Sequence, residues 1–510
     1  MNFWTLGNLA QISGGRWIDA PNDAAVIAQG VSTDTRVLSP GSVFVALRGE
    51  NFDGHDYLGP AFETGAVAAI IDDPAAAGAT KNGSCLVVDD TVAALQALAH
   101  AYRDVLAASG THVVAITGSN GKTTTRHLIH QVLSAPPHRL RGTQSPKSFN
   151  NHIGVPLTLL GANVGDDFVA IEIGTNHPGE IVQLSAIVRP DTAVITCVGA
   201  AHIGHFGSRE AIAREKASIS RFIRSDGLLI TCGAWNNVAV RGVPDELLDK
   251  LPDGVRVIRH GDHANCRYRA WFDDLKHDLP QVIDVFDRQH PQVRDVAHGD
   301  TTAPIMRVDL PMLGRHNIVN ALSAIAVARE FGVADDAIAW ALCRVTDVPG
   351  RMQRIRIGSN GRGVTVIQDA YNANPDSTIQ ACNALASYQA GDGHTPRRVL
   401  VLGDMFELGD RSAQLHKEVG QSISEFNRNT DGQGRRIDLV VLIGTHASEH
   451  TGGALRAYWS DDHIATFAQW SEDVPDQVAQ LLVPSDVVLL KGSRGMQLER
   501  IIPAIKARFE

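Results

Sequence analysis

The chain has 510 residues, a formal net charge of −10, 44% hydrophobic and 20% charged residues, a length that exceeds one hydrophobic core and points to about three domains. The acidic balance leaves no global basic footprint for nucleic acid, so any anionic ligand has to be held by local groups. Six cysteines (Cys85, Cys197, Cys232, Cys266, Cys343 and Cys382) without C-x-x-C or zinc spacing, and no apolar run of bilayer length, predict a cytoplasmic protein with reduced thiols and no stable membrane insertion.

From Met1 to about Ala107 short apolar runs alternate with turns, as in GSVFVALRGENFDGHDYLGPAFETGAVAAIID, which predicts a small α/β domain. Within it Ser32, Thr33, Asp34, Thr35 and Arg36 group hydroxyls, a carboxylate and a guanidinium. The cluster reads either as a capped turn or as a pocket for a polar, phosphorylated ligand, with Arg36 suited to a phosphate.

The second block, residues 108–312, opens on HVVAITGSNGKTTT, His112–Thr125. The β-branched run Val113, Val114, Ala115, Ile116 predicts a buried parallel strand, which breaks at Gly118, Ser119, Asn120 and Gly121 just before a helix. Glycines let the backbone wrap a phosphate, the loop N–H groups and the helix N-terminus supply partial positive charge, and Lys122 and Thr123 suit a β/γ-phosphate and Mg²⁺. Ile116 stands where the first glycine of G-x-x-x-x-G-K-[ST] belongs, so the loop is a variant P-loop for a nucleoside triphosphate. Further strands are expected at 168–173, 192–198 and 228–231, with helices between; that alternation predicts a parallel sheet with ligands at its carboxyl edge.

Polar residues fall at those strand ends. Glu172 lies in VAIEIG, and a carboxylate buried in an apolar strand is costly unless it meets a cation; a Mg²⁺ ligand would account for it. His202 follows in GAAHIGHFGS and Lys216 in AIAREKASI. Taken singly these read as an ion-paired core Glu, a loop His and a solvated Lys; their placement beside a P-loop favours a shared site. From about Arg241 to Met306 the sequence turns irregular and charged, and surface excursions are expected.

The third block, residues 313–510, begins with an amphipathic helix in LGRHNIVNALSAIAVAREFG. Strands then read in VTVIQDA, RRVLVLGDM, DLVVLIG and DVVLLKGS. They predict a second doubly wound sheet of Rossmann type without a G-x-G-x-x-G fingerprint. Its strand ends carry Asp369, Tyr371, Asn372 and Asn374, then Asp404, then Lys491, Ser493 and Arg494.

Together TGSNGKTTT, FNNHIGVPLTL, EIGTNHPGEI, AAHIGHFGS with Lys216 beyond it, GRHNIVNALSA, VPGRMQ, DAYNANPDS, LGDMFELG and KGSRGM resemble the Mur ligase superfamily over nearly the whole chain and in the right order. DAYNANP, LGDMFELG and NHPGEI resemble its D-alanyl-D-alanine-adding members in particular. The resemblance implies an N-terminal domain for the UDP end of the substrate, a central ATP-binding domain and a Rossmann-like C-terminal domain. It also implies a reaction: ATP-dependent addition of D-alanyl-D-alanine (D-Ala-D-Ala) to a UDP-N-acetylmuramoyl-tripeptide (UDP-MurNAc-tripeptide) through an acyl phosphate. A monomer that uses Mg²⁺ is expected.

By resemblance, Gly118, Ser119, Asn120, Gly121, Lys122, Thr123 and Thr124 hold the ATP phosphates, Asn317 the adenine, and Arg351 reaches ATP from the C-terminal domain. Thr123 and Glu172 bind one Mg²⁺, and a second lies near His202 and a carbamylated Lys216. Lys122, Glu172, His202 and Lys216 are then the catalytic set. Asn150 and Asn151 belong to the substrate region, Asp369, Tyr371, Asn372 and Asn374 to the dipeptide end, and Ser32, Thr33 and Arg36 to the uridine-diphosphate end. One departure stands out: where the family often continues the lysine as KGE, this chain has Lys216, Ala217, Ser218. If Lys122 and Arg351 touch one ATP, the C-terminal domain has to close onto the central one.

Overall fold

The computed structural model describes the chain apart from residues 1, 19–20, 22, 80–82, 234, 236–240, 249, 262–264, 273–279, 290–302, 359–362, 390–395 and 429–436. Among the described residues the strands form three sheets, as an α/β chain of this length predicts.

The first sheet holds β1 (Arg16–Ile18), β2 (Val31–Ser32), β3 (Val43–Val45), β4 (Ala68–Ile71) and β5 (Cys85–Val87) in the order β1-β5-β4-β3-β2. It is parallel except where β1 runs against β5. The helix Thr91–Ala108 leaves this sheet with Asp90 as N-cap, its carboxylate accepting from the N–H groups of Val92 and Ala93. Its far end is fastened to the central body: Tyr102 Oη donates to Ala162 O at 2.8 Å, and Arg103, 1% exposed, donates to Val188 O at 2.9 Å and to Asp191 Oδ2 at 2.7 Å.

The second sheet is built from β6 (His112–Thr117), β7 (Gly142–Gln144), β8 (Phe168–Glu172), β9 (Thr192–Ile195), β10 (Leu228–Cys232), β11 (Arg256–His260), β12 (Tyr268–Phe272), β13 (Gln281–Asp287) and β14 (Met306–Leu310). Their order is β14-β13-β12-β11-β10-β9-β6-β8-β7. β7 and β8 lie on one side of β6 and β9 on the other, so β6 is a topological switch point, where open α/β sheets place their ligands. Ile116 pairs with Glu172 and with Val194, which brings the loops after all three strands to one edge.

β11 to β14 occupy the stretch where surface excursions were expected, and they extend the central sheet. β14 alternates buried and exposed positions along MRVDL, a period-2 pattern. Much of the charge is cross-strand pairing, Arg307 Nε to Asp284 Oδ1 at 2.7 Å and Arg267 Nε to Asp287 Oδ1 at 3.2 Å. The helix His316–Glu330, read from sequence as the head of the third block, packs here into the central core with Leu128, Ile129, Leu228 and Ile230. It is buried without a break from Asn317 to Ala328, and a helix buried all round has no stripe to say which sheet it covers.

The third sheet has β15 (Gln353–Ile357), β16 (Val364–Asp369), β17 (Arg398–Gly403), β18 (Leu439–Ile443), β19 (Ile464–Phe467) and β20 (Val487–Lys491), ordered β15-β16-β20-β17-β18-β19. β15 is antiparallel to β16 and the rest run parallel. This is the predicted doubly wound sheet. Among the described residues no helix is long and apolar enough to cross a membrane.

Candidate functional site

The loop after β6 turns on two glycines in the left-handed region, Gly118 at φ 144° and Gly121 at φ 83°. A Cβ on either would collide with Thr196 Oγ1 or with Asn320 Oδ1, so the glycines serve both backbone angle and space. Gly121 caps the helix Lys122–Ser134, whose first N–H groups open into the cleft. Lys122 Nζ donates to Gly118 O at 3.0 Å, folding the side chain over the loop. Burial pushes its ammonium below the ordinary value, and nearby Glu172 opposes that shift.

Thr123 Oγ1 donates to Glu172 Oε2 at 2.8 Å, and Asn150 Nδ2 to Glu172 Oε1 at 2.8 Å. Glu172 is 1% exposed at the end of β8, with Arg126 Nε 3.9 Å from Oε2 and Ser145 Oγ accepting from its backbone N–H at 3.0 Å. These partners satisfy the buried carboxylate, for which the sequence offered a Mg²⁺ ligand or an ion-paired core Glu. Asn150 is held close by Gly174, where a Cβ would stand 2.8 Å from Asn150 Cγ.

The cleft above this group is lined from the central body by Ser119 to Thr124, Asn150, Glu172, His202 and Asn317, and from the C-terminal body by Arg351, Tyr371, Asn372 and Lys491. Asn317 is 2% exposed; its Nδ2 donates to Leu313 O at 2.7 Å and its Oδ1 accepts from Asn320 at 3.0 Å. Arg351 lies over the Tyr371 ring, 4.4 Å from its centroid, a cation–π contact that holds the guanidinium on the cleft wall. Lys491 Nζ sits 3.0 Å from Asp369 Oδ2 and donates to Asn372 O at 2.6 Å.

His202 adopts a left-handed backbone at φ 58° and places Nδ1 2.6 Å from Glu407 Oε2 of the C-terminal body. The same contact holds the Glu407 carboxyl below its ordinary pKa. Lys216 is 2% exposed and stands outside the lining of the cleft. Burial, reinforced by Lys122, takes its pKa down to about 7. Its neighbour Glu215 is not a surface residue: its carboxylate accepts from Gly179 N–H at 2.8 Å and Ile181 N–H at 2.9 Å, at the start of the helix Glu180–Val188. Glu180 in turn gathers the N–H groups of Asn176 and His177, at 2.6 and 3.1 Å, and the Thr175 hydroxyl at 3.0 Å. These two carboxylates, which fix the loop 175–179 on the cleft wall, escaped the sequence reading although Glu180 closes the NHPGE motif.

The remaining expected residues divide between neighbouring grooves and contacts between bodies. Asn150 and Asn151 line a second groove with Asn176 and His177, and Asn151 Oδ1 accepts at 2.8 Å from the N–H of Gly154, the first residue of the helix Gly154–Leu160. Ser32 and Thr33 line a third groove between the first and second bodies, with Trp4, Tyr102 and Phe149. Arg36 is outside that lining; its exposed guanidinium folds back on Asp34 at 2.7 Å, which keeps the Asp34 carboxyl at a pKa of about 2. Asn374 caps the helix Pro375–Ala386 and donates Nδ2 to Asn120 Oδ1 of the P-loop at 2.8 Å.

Three α/β bodies, with a P-loop at a switch point and a Rossmann-like sheet closing over it, define a multidomain P-loop enzyme. Three family descriptions match the chain: the Mur ligase family, catalytic domain over residues 28–103, the Mur ligase middle domain over 116–328, and the Mur ligase, glutamate ligase domain over 350–494. The chain belongs to the Mur ligase family. UDP-N-acetylmuramoyl-tripeptide–D-alanyl-D-alanine ligase of Bacillus subtilis is 34% identical, covering 98% of this chain and 97% of the relative; the Escherichia coli protein of that name is 31% identical over 98% of each. A crystal structure of MurF from Acinetobacter baumannii superposes with a TM-score of 0.79 over 99% of both chains at 28% identity. The MurF ligase of Thermotoga maritima, solved with ADP, shares the fold at a TM-score of 0.72 and 24% identity.

Proposed function

We propose that the protein joins D-Ala-D-Ala to the terminal carboxylate of UDP-MurNAc-tripeptide while ATP becomes ADP and phosphate. The observation that carries this reading is the shared cleft, in which the P-loop residues Ser119 to Thr124 face Arg351, Tyr371, Asn372 and Lys491 of the C-terminal body. The full-length likeness to ligases of that name supports the substrate pair.

A carboxylate is a poor electrophile, so its oxygen first takes the γ-phosphoryl group; the dipeptide amine then attacks the acyl carbon, and phosphate departs with that oxygen. Such transfer depends mainly on positioning and charge neutralisation. Lys122 and the N–H groups of the helix Lys122–Ser134 stabilise the β/γ-phosphates, and Arg351 approaches from the opposite wall. Thr123 and Glu172 offer hydroxyl and carboxylate oxygens that already converge at 2.8 Å. That hard, oxygen-only donor pair fits Mg²⁺, which is commonly held by one or two carboxylates together with substrate phosphates. When bound, the ion neutralises charge on the transferring group. His202 keeps Nε2 for the site, its Nδ1 being turned to Glu407. Lys216, with its ammonium destabilised, is available as a neutral amine to add CO₂ and release a proton, becoming an anionic oxygen ligand.

The groove with Asn150 and Asn151 suits the peptide, and the groove with Ser32 and Thr33 the uridine-diphosphate end. We place the functional divisions near residues 107 and 349, since the helix His316–Glu330 shares the central core. The test is phosphate release and product mass with D-Ala-D-Ala, diaminopimelate, lysine or glutamate offered as the amine. Release only with D-Ala-D-Ala supports the reading; ATP-dependent release without a dipeptide requirement contradicts it.

A further inference from the structure

The helix Pro375–Ala386 begins beside the dipeptide-end residues, and its first turn crosses the cleft. Asn374, the N-cap, holds its own helix by accepting from Ser377 N–H at 3.0 Å and holds P-loop Asn120 at 2.8 Å. Asp376, two residues on, bonds the central body with both oxygens: Oδ2 accepts from Ala200 N–H at 2.6 Å, and Oδ1 accepts from Arg209 Nη2 at 2.7 Å. An acid in a first helical turn is favourable without any partner. Here both oxygens are turned away to particular groups: Ala200 stands two residues before His202, and Arg209 opens the helix Arg209–Ala217 that carries Lys216.

The central body is cut to receive this turn at Gly199 and the segment Glu407–Gly409 at Gly204. A Cβ on Gly199 would stand 2.6 Å from Asp376 Oδ2, and one on Gly204 would meet Gly409 N at 2.6 Å and Glu407 O at 2.8 Å. Both glycines, one on each side of His202, have C-terminal-body atoms as the nearest neighbours of that missing carbon.

We propose that Asp376 is a positioning residue for ligation. Through Ala200 and Arg209 it fixes the acceptor-side body against the loop of His202 and the helix of Lys216, in the register at which Asn374 meets the P-loop. It thereby sets the approach of the dipeptide amine to the activated carbonyl. The inference rests on the ligase reading and adds to it the residue that holds the two reacting partners in line.

The test uses full-length enzyme with UDP-MurNAc-tripeptide, ATP and D-Ala-D-Ala. Asp376→Asn, which keeps the shape and removes the charge, is expected to lower kcat by about tenfold or more with the KM for ATP within about twofold, because a small misplacement of reacting groups is enough for such a loss. Arg209→Ala should do the same, and the double variant should be no worse than the poorer single, since the two act as one contact. Gly199→Ala, which alters no charge, should reproduce the loss by pushing Asp376 away. Unchanged melting temperatures separate these effects from misfolding, and small-angle scattering should show each variant more extended than the parent. Normal kcat in Asp376→Asn and Arg209→Ala, independent losses that multiply in the double variant, or a loss confined to the KM for ATP overturns the inference. A parent enzyme that releases no phosphate overturns the ligase reading itself.

Discussion

The Thr123 hydroxyl donates a 2.8 Å hydrogen bond to Glu172 Oε2, so the helix after the P-loop and the end of β8 present one converged pair of oxygens beside Lys122. The lysine folds over Gly118 next to this pair, where a phosphate would meet it in a partly desolvated setting. Lys122→Ala is therefore expected to fold normally and to lose about two orders of magnitude or more in kcat, the scale for removing one preorganised electrostatic group. Steady-state phosphate release with a thermal melt checks this, and near-parental turnover would refute it.

Lys216 gives a pH prediction. With its pKa lowered from 10.5 to about 7 by burial, the neutral amine needed for carbamate formation becomes the major form as pH rises through about 7. Turnover should rise across that range, depend on dissolved CO₂, and be restored by bicarbonate after degassing. Lys216→Ala should be nearly inactive and partly rescued by a short carboxylic acid filling the vacated space. Labelling with ¹³C-bicarbonate should give a carbamate signal that Lys216→Ala lacks. Full activity in Lys216→Ala would remove the lysine from the chemistry.

What the sequence made legible follows the range of the forces involved. The P-loop is local: an apolar strand, glycines that need positive φ, and a helix within one short stretch, so Gly118 to Thr124 could be read directly. Glu172 was legible as an anomaly, a carboxylate in an apolar strand, but its partners Asn150 and Thr123 come from separate elements. Glu215 could not be singled out, because nothing local shows that the N–H groups of Gly179 and Ile181 lie above it. Asn374 and Asn120 are 254 positions apart, and only the packing of the C-terminal body against the P-loop brings them together. The helix His316–Glu330 was read correctly as a helix and attached to the wrong neighbour, since its apolar faces fit the central sheet as readily as the one that follows.

His260 offers a stability test away from the cleft. It is fully buried on β11, its Nε2 2.8 Å from Ser323 Oγ, and burial takes its pKa from 6.5 to about 3. Between those values the unfolded chain binds the proton and the folded chain does not, so stability falls as pH drops from 6.5 towards 3. One such group contributes a slope of up to about 1.4 kcal/mol per pH unit. Denaturant melts of the parent and His260→Asn between pH 7 and about 4.5 should show the acid slope reduced in the variant; parallel slopes would contradict a neutral core histidine.

The central claim is that the tripeptide carboxylate is phosphorylated before the amide forms. UDP-MurNAc-tripeptide labelled with ¹⁸O in both oxygens of its terminal carboxylate, turned over with ATP and D-Ala-D-Ala, tests it by mass spectrometry of both products. The account predicts one ¹⁸O in each phosphate released and one kept in the new amide carbonyl. Unlabelled phosphate beside labelled amide would contradict it.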